Sequence, residues 1–383
     1  MPGVGWSPRD RAYFEKSGSA AAWSTRFALE GTTVTEDRPK VSAFIVAAVM
    51  IAIAMASGVP AIGETGQEPI SCLDDLSLPP DTRIRNCTIK IKSGWYPPED
   101  LAVTHLIRGR AFGAKGDIDS ALSDYNEAIR LDPKSARALT LRGEVYSTRR
   151  EYDSAIADFE HAIELEPTLA AAFADRGMAW AAKHELGLAI HDYDKAIELD
   201  PSLSIAFNNR GLANAAKGAL EQAIADYSQA IRLNSQYTNA YENRGIAYLN
   251  KSEYERAIND FTEALRLLPI DMIALVNRCW ARTIAGQAPA ALSDCNEAVR
   301  LRPKDAAALS IRGLLHLKTG ELAKAIADFD AALASQPRII EALYGRGLAR
   351  LKHHDAAGGH ADVAAAKAIK PDVEQEFARY GIH

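Results

Sequence analysis

Small and apolar side chains recur along this chain with a fixed step of 34 residues from Ala102 onward. Counting each unit from Ala102, Ala136, Ala170 and so on, position 20 is alanine from Ala121 to Ala325 and Gly359 in the last unit. Position 27 is alanine in every unit, from Ala128 to Ala366. Bulk enters at position 24, as Tyr125, Phe159, Tyr193, Tyr227, Phe261 and Phe329. Positions 20, 24, 27 and 28 fall on one stripe of a helix. Position 8 is glycine in all units but one, where Cys279 stands. Small residues at these places let two helices approach closely. Proline at position 32, from Pro133 to Pro371 with Ser235 as the exception, ends the second helix and is tolerated as the next begins. The pattern predicts eight helix–turn–helix units over residues 102–373, with the turn near positions 15–16.

The period, the small positions, the aromatic position and the proline resemble the tetratricopeptide-repeat (TPR) family. The resemblance implies an all-α, right-handed superhelical solenoid. Its first helices would line a concave groove that binds proteins or extended peptide segments, and the chain would not be an enzyme. Position 11 departs from the family pattern. Phe112, Tyr146, Trp180 and Tyr248 fit it, whereas Asn214, Arg282, His316 and Arg350 do not, which predicts looser packing in repeats 4, 6, 7 and 8.

In the family, positions 2, 5, 6, 9, 12 and 13 of the first helix face the groove. Position 6 carries Asp175 and then Asn209, Asn243 and Asn277, a short amide ladder similar to that of the repeat domain of O-linked N-acetylglucosamine transferases. An amide donates to and accepts from a backbone with little sequence demand. Position 9 adds apolar side chains, including Leu212, Ile246 and Trp280, which either face the groove, with Trp280 the best single anchor for a partner, or in part pack within the repeat. The arrangement lacks the lysines and arginines with which carboxylate-clamp TPR domains hold chaperone tails. Arginine at position 7 and aspartate at position 23 recur in every unit. Copies spaced along a rod do not converge on a catalytic centre, so they are read as a ladder of ion pairs that fixes helix register.

Four cysteines invite pairing. Cys279 and Cys295 hold positions 8 and 24 of repeat 6, about equally far from the turn, and an antiparallel hairpin would set them level within disulfide reach. Cys72 and Cys87 would tie the preceding segment to a capping helix near residues 81–93. Residues 63–101 are read as a linker and N-terminal cap containing a degenerate half-repeat at 83–89. Residues 371–383 are read as a C-terminal capping helix with Phe377 facing inward. Solenoid ends need such caps because a terminal helix has no outer neighbour.

Before the repeats, residues 41–56 carry no charge, follow Arg38 and Lys40, and end in Ala54-Met55-Ala56. This is the layout of a secretory signal. Extended to Ile62, the stretch is alternatively an uncleaved membrane anchor. Residues 1–40 are longer than an ordinary signal prefix. They are either a misassigned start or a disordered cytoplasmic extension. Both readings place the repeats outside the cytoplasm, periplasmic, secreted or membrane-anchored. An oxidising compartment agrees with the cysteine usage.

Composition adds exclusions. The chain has 383 residues, 48% apolar and 25% charged, with a formal net charge of −6. That charge gives no field for gathering a phosphate backbone, so nucleic acid is not an expected partner. His353, His354 and His360 lack accompanying ligands, and no metal or cofactor is expected. The leading function is an exported interaction scaffold. The alternative is an accessory subunit of an envelope enzyme complex whose catalytic chain lies elsewhere.

Overall fold

The computed structural model describes Cys72 and residues 78–383; among them it contains eighteen helices and no strand. The extension at 1–40 and the signal or anchor at 41–62 lie outside the described residues. The described residues divide into two compact units between Arg149 and Arg150.

The first unit holds α1 (Pro80–Ser93), α2 (Pro98–Ala114), α3 (Ile118–Leu131) and α4 (Ala136–Thr148). Helices α2 and α3 form a hairpin, with α1 packed on α2 and α4 on α3. Cys72 and Cys87 form a disulfide with Cα atoms 4.8 Å apart, fastening Cys72 to α1. Cys87 is fully buried, beside Ile107 of α2.

The second unit contains α5 (Tyr152–Leu165), α6 (Ala170–Ala182), α7 (Leu186–Leu199), α8 (Ser204–Ala216), α9 (Leu220–Leu233) and α10 (Thr238–Asn250). It continues through α11 (Tyr254–Leu267), α12 (Met272–Ile284), α13 (Ala288–Leu301), α14 (Ala306–Lys318), α15 (Leu322–Ser335), α16 (Ile340–Lys352), α17 (Ala356–Ile369) and α18 (Val373–Arg379). From α6 to α17 successive helices pair into hairpins. Each second helix packs on the next first helix. First helices also touch the next first helix, from α6 to α8 and on to α16, so they share one continuous face.

Close approach in the hairpins of repeats 1, 3, 4, 5 and 7 follows from glycine at position 8. A Cβ added to Gly211 would lie 2.6 Å from Tyr227 Cε1, and one added to Gly245 would lie 2.8 Å from Phe261 Cε1. The ring at position 24 therefore lies directly against the first helix. In repeat 6 the same two positions hold the Cys279–Cys295 disulfide, with Cα atoms 5.5 Å apart. The turn between the helices bends through the left-handed region at position 15 in every repeat. Glycine serves at Gly116, Gly218, Gly286 and Gly320, but Arg150, His184, Ser252 and His354 take the same conformation with a side chain.

Arginine and aspartate pair side-on in the hairpins. Arg176 donates from Nε to Asp192 Oδ2 at 2.8 Å and from Nη2 to Oδ1 at 2.7 Å. The same two-point contact joins Arg108 to Asp124, Arg210 to Asp226, Arg244 to Asp260, Arg278 to Asp294, Arg312 to Asp328 and Arg346 to Asp362. The remaining nitrogen often reaches the second helix of the preceding repeat. Nη1 of Arg210 meets Asp194, that of Arg244 meets Ser228, that of Arg312 meets Asn296 and that of Arg346 meets Asp330. Each such arginine thus fixes two registers, within its hairpin and between repeats. Arg108 Nη1 reaches Thr88 on α1 in the same way, which gives α1 the role of a second helix in an incomplete leading repeat.

The polar residues at position 11 do not loosen their repeats, contrary to the expectation from sequence. Asn214 Nδ2 donates to Asp226 Oδ2 at 3.1 Å, Arg282 Nη1 to Asp294 Oδ2 at 2.7 Å and Arg350 Nη1 to Asp362 Oδ2 at 2.8 Å. His316 Nε2 lies 3.8 Å from Asp328 Oδ2. The departures give the recurring aspartate a second partner. Where position 11 is aromatic, as at Phe112, Tyr146 and Tyr248, the position-7 guanidinium instead lies within about 6 Å of the ring centre.

Candidate functional site

The candidate site is the face shared by the first helices of the second unit. Residues four and seven apart on a helix lie on one side, so Ile205, Asn209 and Leu212 form a row on α8. Ile205 and Leu212 are each 38% exposed. Asn209 is half-buried between them. Asn208 Nδ2 donates to Asn209 Oδ1 at 3.2 Å, and Asn243 Nδ2 of α10 donates to Asn208 Oδ1 at 3.0 Å. The amides of repeats 4 and 5 are therefore chained together, through an asparagine at position 5 that sequence reasoning did not single out. Asp175 on α6 is half-buried.

Further along, the face changes character. Ile246, Asn277 and Trp280, read from sequence as groove-lining, are buried, and Asn277 is 0% exposed. Asn277 turns its Nδ2 back onto Ile273 O of its own helix at 3.0 Å, and its buried Oδ1 has no hydrogen-bond partner. The amide ladder therefore does not extend to repeat 6 as an accessible surface. Trp280 is 3% exposed because the Tyr380 ring stands edge-on against it, with centroids 5.0 Å apart. The C-terminal segment supplies this cover. A capping helix with Phe377 inward was expected here from sequence; its reach across the first helices to Trp280 was not.

Electrostatics set two places apart. Burial, with Asp271 at hand, pushes the Glu242 carboxyl of α10 well above the usual carboxylate range. Burial also pushes the Lys318 ammonium down and the Tyr380 phenol up. Among the described residues no group of three or more histidine, cysteine, aspartate or glutamate side chains gathers to hold a metal ion. None of the described helices is long and apolar enough to cross a membrane.

Known proteins agree with the geometry. Models described as tetratricopeptide repeat match residues 108–171, 238–271, 285–338 and 312–373, and one described as TPR repeat matches 215–252. No curated protein matches the chain. Among solved structures, that of Pseudomonas aeruginosa pilF is 18% identical, with TM-score 0.52, covering 57% of this chain and 99% of its own. The hetero-tetramer Cut9–Hcn1 of the APC/C is 16% identical, with TM-score 0.52, covering 76% of this chain and 57% of its own. At these identities the likeness is one of fold. The structure of MamA is 28% identical with TM-score 0.38, covering 42% of this chain and 93% of its own. Matched along its repeats and folded into stacked helical hairpins, the chain is a tetratricopeptide-repeat protein.

Proposed function

We propose that the chain is an interaction scaffold that holds a polypeptide segment on its first-helix face. One observation carries the reading. Exposed Ile205 and Leu212 flank an amide chain running from Asn209 through Asn208 to Asn243. Apolar side chains give a guest something to bury, and amides give its backbone partners. The scaffold works outside the cytoplasm, inside the cell envelope or beyond it. The uncharged stretch at 41–56 and the two disulfides support that location.

The test is site-specific photo-cross-linking in native envelope fractions. A photoreactive residue in place of Leu212 should label a discrete polypeptide partner. The same group in place of Lys195, exposed on the second helix α7, should not. Leu212→Asp should abolish co-purification of that partner while leaving the helical circular dichroism unchanged. Equal labelling from both positions, or none from 212, rejects the reading.

A further inference from the structure

The C-terminal segment lies along the face just described. Beyond Lys370, α18 is tied to the last repeat by ion pairs of Lys367 with Glu374 and of Lys370 with Glu376. The chain then reaches back over three repeats. Phe377 stands edge-on against Tyr344 of α16, with centroids 4.6 Å apart. The Tyr380 carbonyl accepts from Lys318 Nζ of α14 at 3.1 Å, and the Tyr380 ring meets Trp280 of α12. Ile382 is buried in the same apolar cluster as Ile311 and Leu314 of α14. Tyr344, Lys318 and Trp280 stand at positions 5, 13 and 9 of the eighth, seventh and sixth repeats, all on the first-helix side. The tail therefore runs against the order of the repeats, as a short polypeptide laid across them.

The fit is incomplete. Glu376 is 5% exposed, and its Oε1 has no hydrogen-bond partner. A buried carboxylate oxygen without a partner weakens the docked state. Phe377 and Tyr380, by contrast, are buried against first helices, and Ile382 is buried within the same large apolar cluster. The face thus buries those side chains without leaving a polar group unpaired, whereas Glu376 beside them, though paired with Lys370 through Oε2, leaves its Oε1 without a partner.

We infer that the first-helix face of repeats 6–8 is a peptide site filled in cis by residues 373–383. Its guest in trans is a polypeptide segment with two aromatic side chains three residues apart and an aliphatic one two residues further on, and it displaces the tail. This rests on the scaffold reading above and names its partner chemistry. A tethered segment competes at a high effective concentration, so the intact chain binds such a guest weakly until the tail is released.

The probe is a fluorescent synthetic peptide of residues 371–383, titrated into the full chain. Phe377→Ala/Tyr380→Ala should bind it at least tenfold more tightly than the wild type does, and adding Trp280→Ala should remove that gain. Equal binding by wild type and double variant overturns the inference. So does absence of binding to a double variant of unchanged helicity. A measurement on the wild type guards against misfolding. An excess of heavy-isotope peptide should accelerate hydrogen exchange at the chain's own residues 377–382, and unchanged exchange also overturns the inference. If these tests fail while cross-linking from position 212 persists, the scaffold stands and only the tail site falls.

Discussion

Cys279 and Cys295 stand 5.5 Å apart, Cα to Cα, at the two positions that in the neighbouring hairpins hold a glycine beneath an aromatic ring. One covalent bond there does what Gly245 with Phe261 and Gly313 with Phe329 do by packing. Position 24 must be filled and position 8 must stay close to it, and two chemistries meet the same constraint.

Reduction of this bond should therefore destabilise the second unit. The bridge closes 16 residues, and on the chain-entropy model such a loop contributes about 3 kcal/mol. Cys279→Gly/Cys295→Phe should restore the arrangement of the flanking repeats. Its melting temperature should not respond to reductant, whereas that of the wild type should fall by several degrees. Thermal melts with and without reductant decide this. A double variant that melts far below the reduced wild type would show that repeat 6 is built differently from its neighbours.

Asp294 accepts from two guanidiniums, those of Arg278 and Arg282, while Asp192 takes its two-point contact from Arg176. Removing one partner of a buried ion pair leaves the other charge uncompensated, at about 3–5 kcal/mol when fully buried. These arginines keep partial solvent contact, so Asp192→Ala should cost about 2 kcal/mol, and Asp294→Ala about 1 kcal/mol more. Urea denaturation measures both. Cross-linking from position 212 should survive in each variant under conditions where it stays folded. Equal costs would mean that the Arg282 contact adds nothing.

Much of this architecture was legible from the 34-residue step. Alanine at 20 and 27 and glycine at 8 state how close the helices come, and Tyr227 or Phe261 states what fills the space between them. The recurring arginine and aspartate were legible as a pair, but the reach of Arg210 to Asp194 was not, because one repeat read alone has no neighbour. Position 11 misled for a related reason. Asn214 and Arg282 look like missing aromatics until Asp226 and Asp294 are seen beside them. The site was legible only in part. Ile205, Asn209 and Leu212 lie on the face by helical period alone. Whether Trp280 is open or covered depends on a segment a hundred residues away in sequence, and no periodicity carries that information.

Glu242 gives the fold a pH dependence of predictable sign. Burial and Asp271 raise its native affinity for a proton, whereas in the unfolded chain it titrates near the ordinary glutamate value. Above that ordinary value the native state holds the proton and the unfolded state does not. Its contribution is thus fully present below the unfolded pKa and is lost as pH rises toward the raised native one, by at most about 1.4 kcal/mol per pH unit. Glu242→Gln should remove this part of the slope and leave the variant relatively more stable at alkaline pH. Urea midpoints from pH 4 to 9, on the order of ten points, test it. A variant with the same slope as the wild type would place the titration elsewhere.

Ser252 occupies the left-handed turn position at φ 60°, where Gly218 and Gly286 stand in other repeats. A side chain there costs about 1–2 kcal/mol relative to the right-handed region, and glycine escapes that strain. Glycine also adds freedom to the unfolded chain, which offsets about 0.5–1 kcal/mol of the gain. Ser252 is exposed in the turn between α10 and α11, so no core packing changes on substitution. Ser252→Gly should therefore stabilise the chain by about 0.5 kcal/mol. Ser252→Val should destabilise it by more than that, because a β-branched side chain tolerates this conformation least. The two variants move in opposite directions only if backbone strain at this turn is the cause. A shift of the same sign in both would assign the effect to the loss of the serine hydroxyl instead.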